Sequence, residues 1–250
     1  MAELPLRGLR ALVTGGGQGI GAATVACLRR DGATVLVTDA NPDTAPDVVA
    51  DVSKTADVER LFAAVREQLG GLDLLVNNVG VAGPTAAVDD MDPEAFDDCV
   101  RVNLGSMFRC TRLAVPMLRE RPGSIVNISS TAGLFGFPLR SPYAAAKWGV
   151  IGLTKTWAME LGPEGIRVNA ICPGSVSGPR MDGVIDREAA ARGVAPQAVR
   201  DGYTRQVSMR SFIEASDIGE AIAWLASPAA RFVSGQAFGV DGHTETLATT

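Results

Sequence analysis

R-A-L-V-T-G-G-G-Q-G-I-G-A-A-T-V-A-C-L-R-R runs from Arg10 to Arg30. Its first five residues read as a short buried strand, and the pattern after Gly21 repeats apolar residues at helical spacing. Between the two lies a turn in which each glycine permits close approach or a positive φ. A strand that passes through such a turn into a helix aims backbone N–H groups at one point, where they can hold a pyrophosphate. Strict G-x-G-x-x-G would need a glycine where Ile20 stands. The residues instead fit T-G-x-x-x-G-x-G, with Gly15, Gly19 and Gly21 as its glycines and Gly17 and Gln18 as neutral residues within the turn.

Reading outward, residues 33–39 form a second apolar strand that ends in Asp39. A carboxylate there can accept hydrogen bonds from adenosine ribose hydroxyls and repels a 2′-phosphate, and the turn has no Arg or Lys to offset that repulsion. The expected cofactor is therefore NAD. Further strands are expected at 48–52, 72–80, 124–130, 165–174 and within 233–242, with helices at 54–69, 92–119, 142–161 and 214–225. This alternation predicts an α/β fold with a parallel sheet covered on both faces. Ligands of such sheets sit at the carboxyl ends of strands, where Gly15, Asp39, Asp51, Asn77 and Ser130 all fall. Residues 175–210, rich in Gly, Arg and Asp, read as a long loop with a short helical middle, and a loop of that length serves as a lid or binding segment.

S-P-Y-A-A-A-K begins at Ser141. Pro142 suits a helix start, and the alanines favour a helix that sets Tyr143 and Lys147 on one face. A phenol has an ordinary pKa of about 10, so a nearby cation is needed before it exchanges protons near neutrality. Lys147 is placed to supply one. Ser130, at the end of S-I-V-N-I-S-S, can polarise a carbonyl oxygen while Tyr143 gives or takes its proton. A Y-x-x-x-K pair alone also fits a solvated helix face. Within the 92–119 helix, Asn103 and Gly105 interrupt an apolar face, and the amide of Asn103 needs a partner.

Composition narrows the classes. The chain has 250 residues, 46% of them hydrophobic, enough for one large core, and a single domain over 1–250 is expected. A net charge of -5 without basic clusters argues against nucleic acid or an anionic membrane as partner. No apolar run approaches a membrane span, and the first ten residues lack the features of a secretion signal. Cys27, Cys99, Cys110 and Cys172 stand far apart, as free thiols of a reducing cytoplasm do. A single histidine, His243, leaves no His-rich metal site, and no metal is expected.

Together, T-G-G-G-Q-G-I-G at 14–21, Asp51-Val52, N-N-V-G at 77–80, Asn103, Ser130, Tyr143, Lys147, Pro173-Gly174 and the late V-S-G-Q and V-D-G resemble the short-chain dehydrogenase/reductase family over nearly the whole chain. The resemblance implies a seven-stranded Rossmann sheet in a homotetramer, acting on a small-molecule alcohol or ketone. It implies Tyr143 as general acid/base, Ser130 as orienter of the reacting oxygen, Lys147 as the group that lowers the Tyr143 pKa and binds the nicotinamide ribose, and Asn103 as holder of a relay water. Asp51 and Val52 would contact adenine, and Asn77 and Gly80 would line the adenosine side. Ile20, with the other turn residues, and Pro173, Gly174 and Val176 would be further cofactor contacts. The chain departs from the family pattern at Val79, often alanine, and at Gly178, often threonine.

The leading expectation is an NAD-dependent enzyme that interconverts a secondary alcohol and a ketone. An NADPH-dependent 3-oxoacyl reductase and a catalytically silent NAD-binding regulator are the alternatives. Asp39 argues against the first, and the complete Asn103, Ser130, Tyr143, Lys147 set argues against the second. Arg140 and Arg180 flank the expected site and favour a polar substrate, a polyol, a sugar-like compound or a hydroxy acid, although Arg140 equally fits a solvent-facing or ion-paired residue. Trp148, Val150, Ile151, Leu153 and Trp157 lie on several sides of one helix, which suggests burial against a symmetry mate.

Overall fold

A computed structural model describes residues 4–247; residues 1–3 and 248–250, at the ends of the expected 1–250 span, lie outside the described residues. Seven parallel strands form one sheet: β1 Arg10–Thr14, β2 Thr34–Asp39, β3 Val48–Val49, β4 Leu74–Asn77, β5 Ser124–Ile128, β6 Arg167–Pro173 and β7 Ala237–Val240, in spatial order β3-β2-β1-β4-β5-β6-β7. This is a Rossmann-type doubly wound sheet. Strand order reverses between β1 and β4, and the crevice beyond their carboxyl ends is where such folds bind ligands.

The helices divide between two faces. α1 (Gly19–Arg30) and α8 (Ala215–Ala226) close one side over Val13, Val35, Val76 and Ile171. α2 (Thr55–Leu69), α4 (Ser106–Glu120) and α5 (Ser141–Leu161) close the other over Leu12, Leu36, Leu75 and Ile125. Strands buried on both faces explain the unbroken apolar runs in the sequence.

Four expectations need correction. β3 spans only Val48–Val49, because the Asp51 carboxylate accepts from the Ser53 N–H at 3.0 Å and the Ser53 hydroxyl at 2.7 Å, a local turn that ends pairing. The 92–119 helix is three segments: α3 (Pro93–Val100), a π-helical turn over Arg101–Gly105, and α4. Residues 175–210 hold two helices, α6 (Pro179–Arg192) and α7 (Pro196–Arg205), whose Ile185, Ala189, Val199 and Tyr203 pack with Phe137, Met181 and Phe212. Tertiary packing supplies what their weak apolar pattern lacks. On α5, Val150, Ile151 and Trp157 are buried within the chain itself, so they do not await a symmetry mate.

Candidate functional site

The glycine turn after β1 is a cradle that tolerates no side chain on its inner wall. A Cβ on Gly21 would stand 2.0 Å from the Gly15 carbonyl oxygen, and one on Gly17 would stand 2.1 Å from Thr44 Oγ1. Gly15 and Gly19 have φ of +61° and +52°, where a larger residue is strained. Asn78 braces the turn from the end of β4, its Nδ2 donating to the Thr14 carbonyl at 3.0 Å and to the Gly15 carbonyl at 2.9 Å. The first turn of α1 has no acidic residue, and Gln18 at its N-cap makes no side-chain capping bond. Its leading N–H groups are thus left for an anion.

Asp39 ends β2 beside this turn. Its carboxylate accepts from the Gly17 N–H at 3.1 Å and the Asn41 N–H at 3.0 Å. Asp51 has a pKa below the usual carboxylate value; burial pushes it up, but the Ser53 hydrogen bonds and Lys54 outweigh burial. The Val52 side chain is buried in the core, which leaves its backbone for any ligand contact. Asn77 is turned inward, its Nδ2 donating to Asn127 Oδ1 at 2.8 Å and Thr111 Oγ1 at 3.1 Å. Strand alternation sends neighbouring side chains to opposite faces, so of the two amides in N-N-V-G it is Asn78 that reaches the turn. N-N-V-G points first to Asn77, yet the alternation of the strand is the signal that singles out Asn78.

The second half of the site stands on α5. Tyr143, half-buried, lies one turn before Lys147, which is buried with its Nζ 5.5 Å from the centre of the phenol ring. Lys147 Nζ donates to the Ile128 carbonyl at 2.9 Å, and the Ser129 hydroxyl donates to the Lys147 carbonyl at 2.8 Å, which fixes the helix against the end of β5. Ser130 Oγ accepts from the Ala132 N–H at 3.1 Å, and its hydroxyl is among the groups that lower the Tyr143 pKa. Burial pushes the Tyr143 phenol up, but Lys147, Arg180, the Ser130 hydrogen bond and Arg140 together bring it below its ordinary value. Burial is also the main cause that lowers Lys147, with Tyr143 opposing it. A phenol, a serine hydroxyl and an ammonium thus converge where a carbonyl oxygen could be held and protonated.

Asn103 lies in the π-helical turn, buried, with Nδ2 donating to the Cys99 carbonyl at 2.8 Å and the Val81 carbonyl at 3.1 Å. Its Oδ1 is buried without a protein partner, and a Cβ on Gly80 would sit 2.6 Å from it. π-turns concentrate at functional sites because they re-aim one side chain. Pro173 ends β6, Gly174 packs closely on Asp241, and Val176 pairs with Ile213 at the foot of α6. Gly178 has φ of +129°, a conformation a threonine rarely adopts, which accounts for the departure from the family pattern there. Arg180 donates to the Gly80 carbonyl at 3.0 Å, and Arg140 donates to the Ala82 carbonyl at 2.5 Å. No cluster that could hold a metal ion exists among the described residues.

The family model described as Enoyl-(Acyl carrier protein) reductase matches residues 15–243. The chain is a short-chain dehydrogenase/reductase. Among its relatives, 3-oxoacyl-[acyl-carrier-protein] reductase FabG of Thermotoga maritima is 34% identical over 95% of this chain and 98% of that one. D-beta-hydroxybutyrate dehydrogenase of Cupriavidus necator is 35% identical over 95% and 98%. Among solved structures, levodione reductase superposes with a TM-score of 0.88 at 32% identity, covering 94% of this chain and 97% of that one. NAD+-bound xylitol dehydrogenase gives a TM-score of 0.90 at 27% identity, covering 95% and 99%.

As a short-chain dehydrogenase/reductase the chain is an oxidoreductase of alcohols and ketones that binds a nicotinamide cofactor. Its own residues fit that group. The cradle without Cβ atoms, the uncapped α1 N-terminus and the orphaned Asn103 Oδ1 form a donor and acceptor set that runs from the glycine turn to Tyr143. Among the described residues, no helix is long and apolar enough to cross a membrane.

Proposed function

We propose that this short-chain dehydrogenase/reductase is NAD-dependent and interconverts a small polar secondary alcohol and its ketone, with Tyr143 as general acid/base. The observation that carries this reading is the buried Lys147 beside a phenol whose pKa is lowered. When bound, the nicotinamide supplies or accepts the hydride.

The chain's residues do the rest. Ser130 donates to the reacting oxygen and fixes its direction. Tyr143 Oη holds the proton, giving it to the oxygen in ketone reduction and taking it in alcohol oxidation. Lys147 is an ammonium with one proton committed to the Ile128 carbonyl, and it stabilises the phenolate and offers its other protons to the nicotinamide ribose. Asn103 Oδ1 accepts from a water that relays protons to Lys147. Gly15, Gly17, Gln18, Gly19, Ile20 and Gly21 would hold the pyrophosphate. Asp39 would take the ribose hydroxyls, and Asp51, the Val52 backbone, the Asn77 backbone and Gly80 the adenosine side. Pro173, Gly174 and Val176 would border the nicotinamide.

Residues 1–250 act in this reading as one nucleotide-binding unit, with α6 and α7 as its substrate lid. Four buried free thiols suit a reducing cytoplasm, and the family resemblance is what suggests a homotetramer. The relatives include a 3-oxoacyl reductase, and Asp39 is what separates this chain from an NADPH-dependent reading: its carboxylate would meet the 2′-phosphate. The test is a panel of polyols, sugars and hydroxy acids assayed with NAD and with NADP. NAD should be favoured by at least about tenfold in kcat/KM, the scale of one 1.4 kcal/mol contact, and Asp39→Ala should narrow that ratio by a similar factor. Equal use of both cofactors would refute the NAD assignment, and no turnover with any alcohol or ketone would refute the enzyme assignment.

A further inference from the structure

Arg140 immediately precedes α5 and is only 3% exposed. One nitrogen, Nη2, donates to the Ala82 carbonyl, while Nε and Nη1 are buried with no protein partner. The guanidinium carbon lies 5.4 Å from the centre of the Tyr143 ring and 5.2 Å from that of Phe137, which in turn packs against the α6–α7 lid. A buried guanidinium needs a counter-charge or a full set of acceptors, and here it has one carbonyl and two aromatic faces.

The surrounding charges do not supply what is missing. Lys147 and Arg180 both lower the Tyr143 pKa from nearby, and Arg187 acts on Arg140 with the same sign. None of these four cations has an ion pair among the described residues. Of the acids of the lid, Glu188 is engaged with Arg192 and Tyr203 and Asp182 with Arg200, while Asp186 and Asp201 are exposed. Arg140 therefore keeps unspent donors on a planar fork beside Tyr143, with further cations around it, the arrangement that matches an oxyanion.

We propose that Arg140 anchors an oxyanion carried by the substrate, a carboxylate or a sulfonate one or two carbons from the reacting alcohol or ketone carbon. The proposal rests on the reading of Tyr143 as the proton donor, since the Arg140 guanidinium lies against the ring of that phenol. It narrows the polar substrates to acids and excludes neutral polyols and sugars as preferred partners. The contact with Ala82 alone would make Arg140 a structural clamp, with no stake in the substrate's charge.

Three ketones that differ only in the head group separate these roles: acetoacetate, acetonylsulfonate and methyl acetoacetate. Their binding to the full chain saturated with NAD, an oxidised cofactor that cannot reduce them, is read by calorimetry without any turnover. At least one of the two anions should bind at least about tenfold more tightly than the ester, and which anion wins identifies carboxylate or sulfonate as the head group. Arg140→Met should bring the anion-to-ester ratio close to one, and Arg140→Lys, which keeps charge but loses the fork, should leave it intermediate. Circular dichroism and NAD affinity of both variants report whether the fold is retained. The proposal fails if the ester binds as tightly as both anions to the wild type, if the ratio survives in Arg140→Met, or if neither anion binds below about 10 mM. An enzyme that oxidises neutral secondary alcohols while showing no anion preference keeps the dehydrogenase reading and loses the anion site.

Discussion

At the scale of single residues, the account depends on how three cations and a hydroxyl act on one phenol. Lys147, Arg180 and Arg140 face Tyr143 together with Ser130, and their combined effect outweighs burial. Alcohol oxidation needs the phenolate, so its rate should rise with pH through the lowered Tyr143 pKa and level off before the ordinary tyrosine value of about 10. Ketone reduction needs the phenol, so its rate should fall over the same interval. Lys147→Met removes the largest lowering charge and should move both limbs to higher pH when measured at saturating cofactor. Unmoved limbs would show that Lys147 does not tune Tyr143. Asp39 and Ser130 were legible as candidates in the sequence because they stand at the ends of apolar strands, and Tyr143 and Lys147 because their spacing of four sets them on one face of a strong helix. Arg140 was legible only as a residue near the site. Its burial comes from Phe137 and the lid, a long-range packing that local sequence does not encode.

At the scale of elements, two segments whose structure departs from the sequence pattern, 92–119 and 175–210, shape the site. The interruption at Asn103 and Gly105 could be seen in the sequence, but the widened π-turn could not, because it follows from how α3 and the turn itself pack against α5. In the lid, Gly183, Gly193 and Gly202 and many charged residues dilute the helical pattern, so the sequence alone resembles a loop. Its helices instead close over a buried network in which Tyr203 donates to Glu188 at 2.7 Å and Arg192 to Glu188 at 3.0 Å. Burial, and then Glu188 as hydrogen-bond partner and charge, push the Tyr203 phenol well above its ordinary value, so it stays protonated and holds that bond throughout the working range. Glu188→Ala strips both partners at once, at a cost of about 1–3 kcal/mol per stranded group. Limited proteolysis should then cut first within 179–205, while the thermal midpoint of the sheet core changes little. A cleavage pattern like that of the wild type would mean that the network does not hold the lid.

At the scale of the whole molecule, the order of the strands was legible in outline, since alternating strands and helices leave few arrangements with right-handed crossovers. The reversal between β1 and β4, which brings the glycine turn, Asn78 and Asn103 to one crevice, needed the structure. Assembly is the least legible level. Phe108 on α4 and Trp148 and Met159 on α5 are exposed, while Val150, Ile151 and Trp157 pack inside the chain. Exposed apolar side chains on helices of one layer are what a symmetric oligomer would cover. Light scattering at micromolar concentration should give a multiple of the 26.0 kDa chain, and Trp148→Glu should shift it toward a smaller species. A monomeric mass for the wild type would remove the tetramer from the account. The central claim is that Tyr143 does chemistry and little binding, and it is tested most directly by Tyr143→Phe with turnover and NAD affinity measured side by side. The account predicts a fall in kcat of about 100-fold or more with NAD affinity within about threefold of the wild type. Retention of more than about a tenth of wild-type kcat would contradict it.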